Sequence, residues 1–217
     1  KPFNIETPLM IFVGTTVSGK NNSSDVLRIC RFIADFVNQP KKVKRHIHNL
    51  IHGQSSLMDE NNVPLTDYKI QYLKKYVNQT RISDDELYSE IIQMLFYTKT
   101  ESPLKFIEIK NAEGEIGLKF GAEYFGLINI GDVSRFLKLV ESEKEPSFSI
   151  SDPSQFEKSL FHQIDKFDSK INFLIGSKKF MEGWNSYRVS AMGLINIGKK
   201  QGTQIIQLFG RGVRLKG

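Results

Sequence analysis

Pro8-Leu9-Met10-Ile11-Phe12-Val13-Gly14 is the stretch on which the fold turns. A short apolar run closed by Pro8 on one side and Gly14 on the other reads as a buried strand. Ser23 or Ser24 then caps a helix, with Asp25 in its first turn. Val26, Ile29, Cys30, Ile33, Phe36 and Val37 recur at helical spacing, and Pro40 closes the element. The same grammar returns at the other end of the chain. Ile171 to Ile175 reads as a second buried strand and Met192 to Ile197 as a third, while Thr203 to Phe209 reads as a helix start or a short buried run.

The middle of the chain is more mixed. Residues 43–52 read as a short helix stopped by Gly53, followed by a polar, turn-rich stretch over 54–66. Ser83-Asp84-Asp85-Glu86 is a helix start leading into Leu87, Ile91, Met94 and Leu95. Leu104 to Ile109 alternates, breaks at Asn111-Ala112-Glu113-Gly114, and resumes from Ile116 to Phe120, which is a hairpin signal. Leu127 to Ile130 reads as a strand, Val133 to Val140 as a helix, Glu141 to Pro153 as a charged loop and Phe156 to Ile164 as helical. The expected fold is α/β: a parallel sheet flanked by helices, interrupted by an α+β insertion at roughly 40–165.

Composition narrows the class. The 217 residues allow one large domain, or one domain with an insertion, and 40% hydrophobic residues suffice for a core. A single cysteine, Cys30, excludes an intramolecular disulfide framework and a cysteine-based zinc cluster, which fits a reducing compartment. No apolar run approaches the ~18 residues of a membrane span. A start without Met and an end at Lys216-Gly217, straight after a charged motif, point to an excised fragment. The net charge of +6 conceals a pattern. Residues 1–50 carry 8 basic and 3 acidic groups, residues 51–82 carry 4 and 3, residues 83–165 carry 8 and 16, and residues 166–217 carry 10 and 2. Basic ends surround an acidic middle, so a polyanion is drawn to the ends.

Three motifs carry candidate chemistry. Gly14-Thr15-Thr16-Val17-Ser18-Gly19-Lys20 has the glycine and lysine spacing of a phosphate-binding loop after a strand. Asn21 stands where a magnesium-binding hydroxyl belongs, and the helix begins several residues late, so a polar loop after a core strand is the expected reading. Gln207-Leu208-Phe209-Gly210-Arg211-Gly212-Val213-Arg214 reads Q-x-x-G-R-x-x-R. Two arginines three apart share one face of a helical turn, and Gly210 lets a phosphate or another backbone come close. Guanidinium groups stay charged and grip phosphate oxygens with a planar fork. Ser177-Lys178-Lys179-Phe180-Met181-Glu182-Gly183-Trp184-Asn185 sets a hydroxyl just past a strand end, six residues before a glycine turn, the spacing of a phosphate-sensing segment. His46 and His48 read as part of a basic surface able to contact DNA rather than as metal ligands. Glu108, Lys110 and Asp132 only distantly suggest a nuclease carboxylate set.

With these residues in view, a family resemblance emerges. Ile171 to Lys216 resembles motifs V and VI of superfamily 2 helicases, and Pro8 to Val37 resembles motif IV and its helix. The match is narrower still with the helicase part of the restriction (Res) subunit of type III restriction enzymes. It rests on Gly176 to Ser190, Gln204 to Leu215, Lys110 to Leu118 and Ser159 to His162. The resemblance implies a second RecA-like domain of a DNA-dependent ATPase from the bacterial cytoplasm. ATP would bind between this domain and a first RecA-like lobe, which holds most of the Mg2+ coordination. Arg214 would be the arginine finger and Arg211 a second phosphate contact. Gln207 and Gly210 would line the nucleotide cleft, with Gly183 and Asn185 from motif V; Asn185 stands where many relatives carry Asp. Ser177, Lys178, Gly14 and Thr15 would touch DNA phosphates. A modification (methyltransferase) subunit would be a partner, and no membrane is involved. The alternatives are a nucleic-acid-binding module without catalysis, or another superfamily 2 DNA-dependent ATPase.

Overall fold

The computed structural model describes residues 7–14, 24–54, 58, 60–64, 70–176 and 186–196. Its elements in chain order are β1 (Leu9–Gly14), α1 (Asp25–Asn38), α2 (Pro40–Ile51), α3 (Gln71–Thr80), α4 (Asp84–Phe96), β2 (Leu104–Glu108), β3 (Glu115–Lys119), β4 (Gly126–Asn129), α5 (Val133–Ser142), β5 (Phe148–Ile150), β6 (Phe173–Gly176) and β7 (Val189–Ile195). The strands form one seven-stranded sheet in the order β5-β2-β3-β4-β6-β1-β7. The fold is thus α/β, with helices packed on a mixed sheet.

Strand alternation explains how one short strand serves two cores. Successive side chains point to opposite faces. In β1, Leu9, Ile11 and Val13 enter one hydrophobic cluster, while Met10 and Phe12 pack against the other. In β6, Phe173 and Ile175 face the larger cluster and Leu174 the smaller. A strand covered on both sides has no polar face, which is why these strands read as continuous apolar runs. The larger cluster receives the buried residues of α1, α2, α4 and α5. Phe96, the last residue of α4, is its centre: it stacks on Phe173 at 5.2 Å and meets Phe125 and Phe120 edge-on at 5.1 and 5.7 Å. The smaller cluster, on the opposite face, is covered by Leu160, Ile164 and Ile171.

Helix boundaries follow local chemistry. Ser24 caps α1 by accepting from the Leu27 amide at 3.2 Å. Pro40 does close α1, but it also opens α2 from its first turn, where a missing N–H costs nothing. Ser83 and Glu86 form a reciprocal capping box at the start of α4.

Several expectations are corrected. The sheet is mixed rather than parallel, because β3 returns by the hairpin from β2 and lies antiparallel to both β2 and β4. Residues 40–165, the expected insertion, contain α2–α5 and β2–β5, and β4 pairs with β6 in parallel. Phe156 to Ile164 is not a helix. Only a single 3-10 turn forms at Phe161–Gln163, and Phe156 is 96% exposed. The reason is Glu115: its buried carboxylate accepts from the Ser159 hydroxyl at 2.6 Å and from the Leu160 and Phe161 amides at 2.7 and 3.3 Å. Amides committed to a distant side chain hold the segment as a capped turn across the sheet. Helix α3 and strand β5 fall where no element was expected. Helix α3 has no side-chain cap, no acidic residue in its first turn and no buried residue, and β5 is only three residues long.

The carboxyl edge of the sheet as candidate functional site

Strands β4, β6, β1 and β7 are consecutive neighbours and all parallel. Their carboxyl ends therefore meet on one edge. Asn129 lies opposite Gly176, Gly176 opposite Val13, and Gly14 opposite Ile195. In open α/β sheets ligands bind outside such ends, where loops from several strands converge. The chain reaches this edge four times, at Gly14, at Asn129, at Gly176 and at Asn196.

The edge has a buried polar centre. Asp25, the first residue of α1, is only 1% exposed. A Cβ on Gly14 would lie 2.5 Å from the Asp25 Cβ, so the end of β1 touches the start of α1 only because residue 14 has no side chain. Asn196, the residue after β7, takes a left-handed φ of 52° and donates from Nδ2 to Asp25 Oδ1 at 2.6 Å. Asparagine tolerates that backbone conformation better than most residues. One carboxylate thereby ties together the end of β1, the start of α1 and the exit from β7.

This arrangement bears on the phosphate-loop spacing at Gly14–Lys20. A Walker A motif needs the positive end of the following helix directed at a phosphate. Here that helix end has the buried Asp25 side chain beside it, bonded to Asn196.

Of the residues expected in the site, Gly14 stands on the edge, in register with Ile195. Thr15, Lys20, Ser177, Lys178, Gly183, Asn185, Gln207, Gly210, Arg211 and Arg214 lie outside the described residues. Gly176, the residue before Ser177, ends β6 on the same edge as Gly14. Asp25 and Asn196 were not expected beyond a first-turn acid. A Ser-Asp pair at a helix start and an asparagine at a strand end were the signals available, and both are common enough to pass as capping and turn residues.

Arg188 has a structural post. Its guanidinium donates to the carbonyls of Thr7 and Ile171, each at 2.9 Å, and to that of Ile164. It fastens the entry to β7 to the entries of β1 and β6. Burial lowers its pKa, with Asp165 opposing, yet a guanidinium remains charged at any ordinary pH. Burial pushes the Cys30 thiol up, which makes it a core side chain rather than a nucleophile. Asp132 caps α5, accepting from the Arg135 amide at 2.9 Å, and Glu108 pairs with Lys110 at 2.8 Å. His48 bonds Asp84 at 2.9 Å. Among the described residues no three His, Cys, Asp or Glu side chains converge as a metal-ligand set, and no helix is long and apolar enough to cross a membrane.

Comparisons of the chain with protein-family models, with curated proteins and with solved structures give no match.

Proposed function

We propose that the chain is the second RecA-like lobe of an ATP-dependent DNA helicase or translocase, in the restriction subunit of a type III restriction endonuclease. The reading rests on one observation joined to the sequence motifs. Strands β6, β1 and β7 are parallel neighbours, and the stretches with the helicase-like motifs come later in the sequence than their carboxyl ends, at once after Gly176 and Gly14 and from Gln204 on after Asn196. In this reading a nucleotide and a nucleic-acid strand bind at that edge. Ser177, Lys178, Gly14 and Thr15 take DNA phosphates. Gln207, Gly210, Gly183 and Asn185 border the nucleotide, and Arg211 and Arg214 hold its terminal phosphate.

In this proposal ATP binds between the lobe and a first RecA-like lobe of the same protein, which holds Mg2+. Binding closes the lobes, and hydrolysis reopens them, moving the lobes along a strand. The methyltransferase subunit is the assembly partner. In this reading the Gly14–Lys20 stretch has a nucleic-acid role rather than a nucleotide one.

A pair of variants tests the assignment in the full-length protein. Arg211→Ala should slow DNA-stimulated ATP hydrolysis steeply, whereas Lys20→Ala should leave the turnover number unchanged. The reverse pattern returns the nucleotide to the Gly14–Lys20 stretch and overturns the reading.

A further inference from the structure

Helix α2 starts away from the carboxyl edge. Helix α1 leaves that edge at Asp25 and runs 14 residues, about 21 Å, before Pro40 opens α2. At 100° per residue, Lys41, Lys42, Arg45, His46 and Asn49 fall within one arc of about 140° on α2. Lys41, Lys42, Arg45 and His46 are exposed. The opposite arc is committed to the core through Val43, Ile47 and Ile51. The flank between them is neutralised by α4: Lys44 pairs with Asp85 and His48 with Asp84.

The outer arc is different. From Phe36 to Met58 the sequence contains no acidic residue. Among the described residues, none of Lys41, Lys42 and Arg45 has a carboxylate at ion-pair distance. The first turn of α2 has no acidic residue either, so the positive end of the helix dipole adds to the lysines rather than cancelling them. The fold has thus sorted the cations of one helix. Those beside α4 are paired and those facing outward are left to an external anion.

We infer that the outer face of α2 is a second docking surface for a nucleic-acid backbone, separate from the carboxyl edge. The donors choose the partner. A guanidinium fork, two ammonium groups, an imidazole and an amide on one helical face suit a row of phosphates. A helix lying on a lipid surface needs a free apolar face beside its cations, and the apolar face of α2 is already buried in the core. This surface goes beyond the proposed function, whose nucleic-acid contacts are residues 14, 15, 177 and 178. It would hold DNA in every nucleotide state, because none of its residues belongs to the motif-bearing stretches.

The test uses the 217-residue chain, a fluorescent DNA duplex of ~20 base pairs and a salt titration read by anisotropy. Each phosphate contact contributes about 0.9 to the slope of log affinity against log salt. The triple variant Lys41→Gln, Lys42→Gln, Arg45→Gln should bind at least tenfold more weakly and lose about 2.7 from that slope. Lys41→Arg with Lys42→Arg, which keeps the charge, should bind like the parent. All the replaced side chains are exposed, so the melting temperature should not move. An unchanged slope in the triple variant overturns the inference. So does a parent chain that binds phosphatidylserine vesicles but not the duplex. ATP plays no part in the measurement. A triple variant that loses DNA affinity keeps the surface standing even if the full-length protein proves to have no DNA-stimulated ATPase.

Discussion

In the proposed reading, Arg214→Ala in the full-length protein is expected to lower DNA-stimulated ATP turnover by a factor of about 10³ to 10⁵, with affinity for DNA essentially retained. The loss is large because the transferring phosphoryl group gathers charge on its equatorial oxygens, and an arginine fork meets that charge only in the transition state. An interaction made chiefly there lowers kcat rather than raising KM. Arg214→Lys should recover only a small part, since an ammonium is a point charge and cannot grip two oxygens at once. Steady-state kinetics with saturating DNA separates these terms. Undiminished turnover in Arg214→Ala would remove the arginine-finger role.

Glu115→Ala is expected to cost about 2–4 kcal/mol of folding stability, the largest effect foreseen for a residue away from the carboxyl edge. The carboxylate is 4% exposed and accepts from Ser159, Leu160 and Phe161. Truncation strands two backbone amides and a hydroxyl and frees the segment that covers the smaller core. The segments joined here, Lys110 to Leu118 and Ser159 to His162, are two of the stretches that carry the family resemblance. Their pairing is therefore architectural. Glu115→Gln keeps the shape and one acceptor oxygen, so its loss should be smaller. A urea titration should show a lower midpoint at an unchanged slope for both variants. An alanine variant as stable as the parent would show that the contact contributes nothing.

Every strand but β5, and the capped helices α1, α4 and α5, were legible because each has a local cause. Phe173 to Gly176 is buried throughout and Leu9 to Gly14 packs apolar side chains on both faces, so their apolar runs announce themselves. Ser24 and Ser83 mark helix starts by chemistry that acts over three residues. The mixed sheet was half legible. The hairpin of β2 and β3 shows in the Asn111 to Gly114 break, but nothing local says that β4 will join β6 and carry the middle of the chain into the same sheet. The turn at Phe161 defeated periodicity for the same reason, since Glu115 lies more than 40 residues away from the amides it captures. At the candidate site Gly14 stands on the carboxyl edge, and its close approach to Asp25 explains the glycine. The Asp25–Asn196 bond was not legible, because it spans 171 residues and joins types that are ordinary at helix starts and turns.

ATP hydrolysis by the full-length protein, with and without DNA, set beside the isolated 217-residue chain, tests the central claim most directly. The account predicts DNA-stimulated turnover in the full-length protein and none in the isolated chain, which would hold only half of the nucleotide site. Turnover indifferent to DNA, or hydrolysis by the isolated chain, would contradict it.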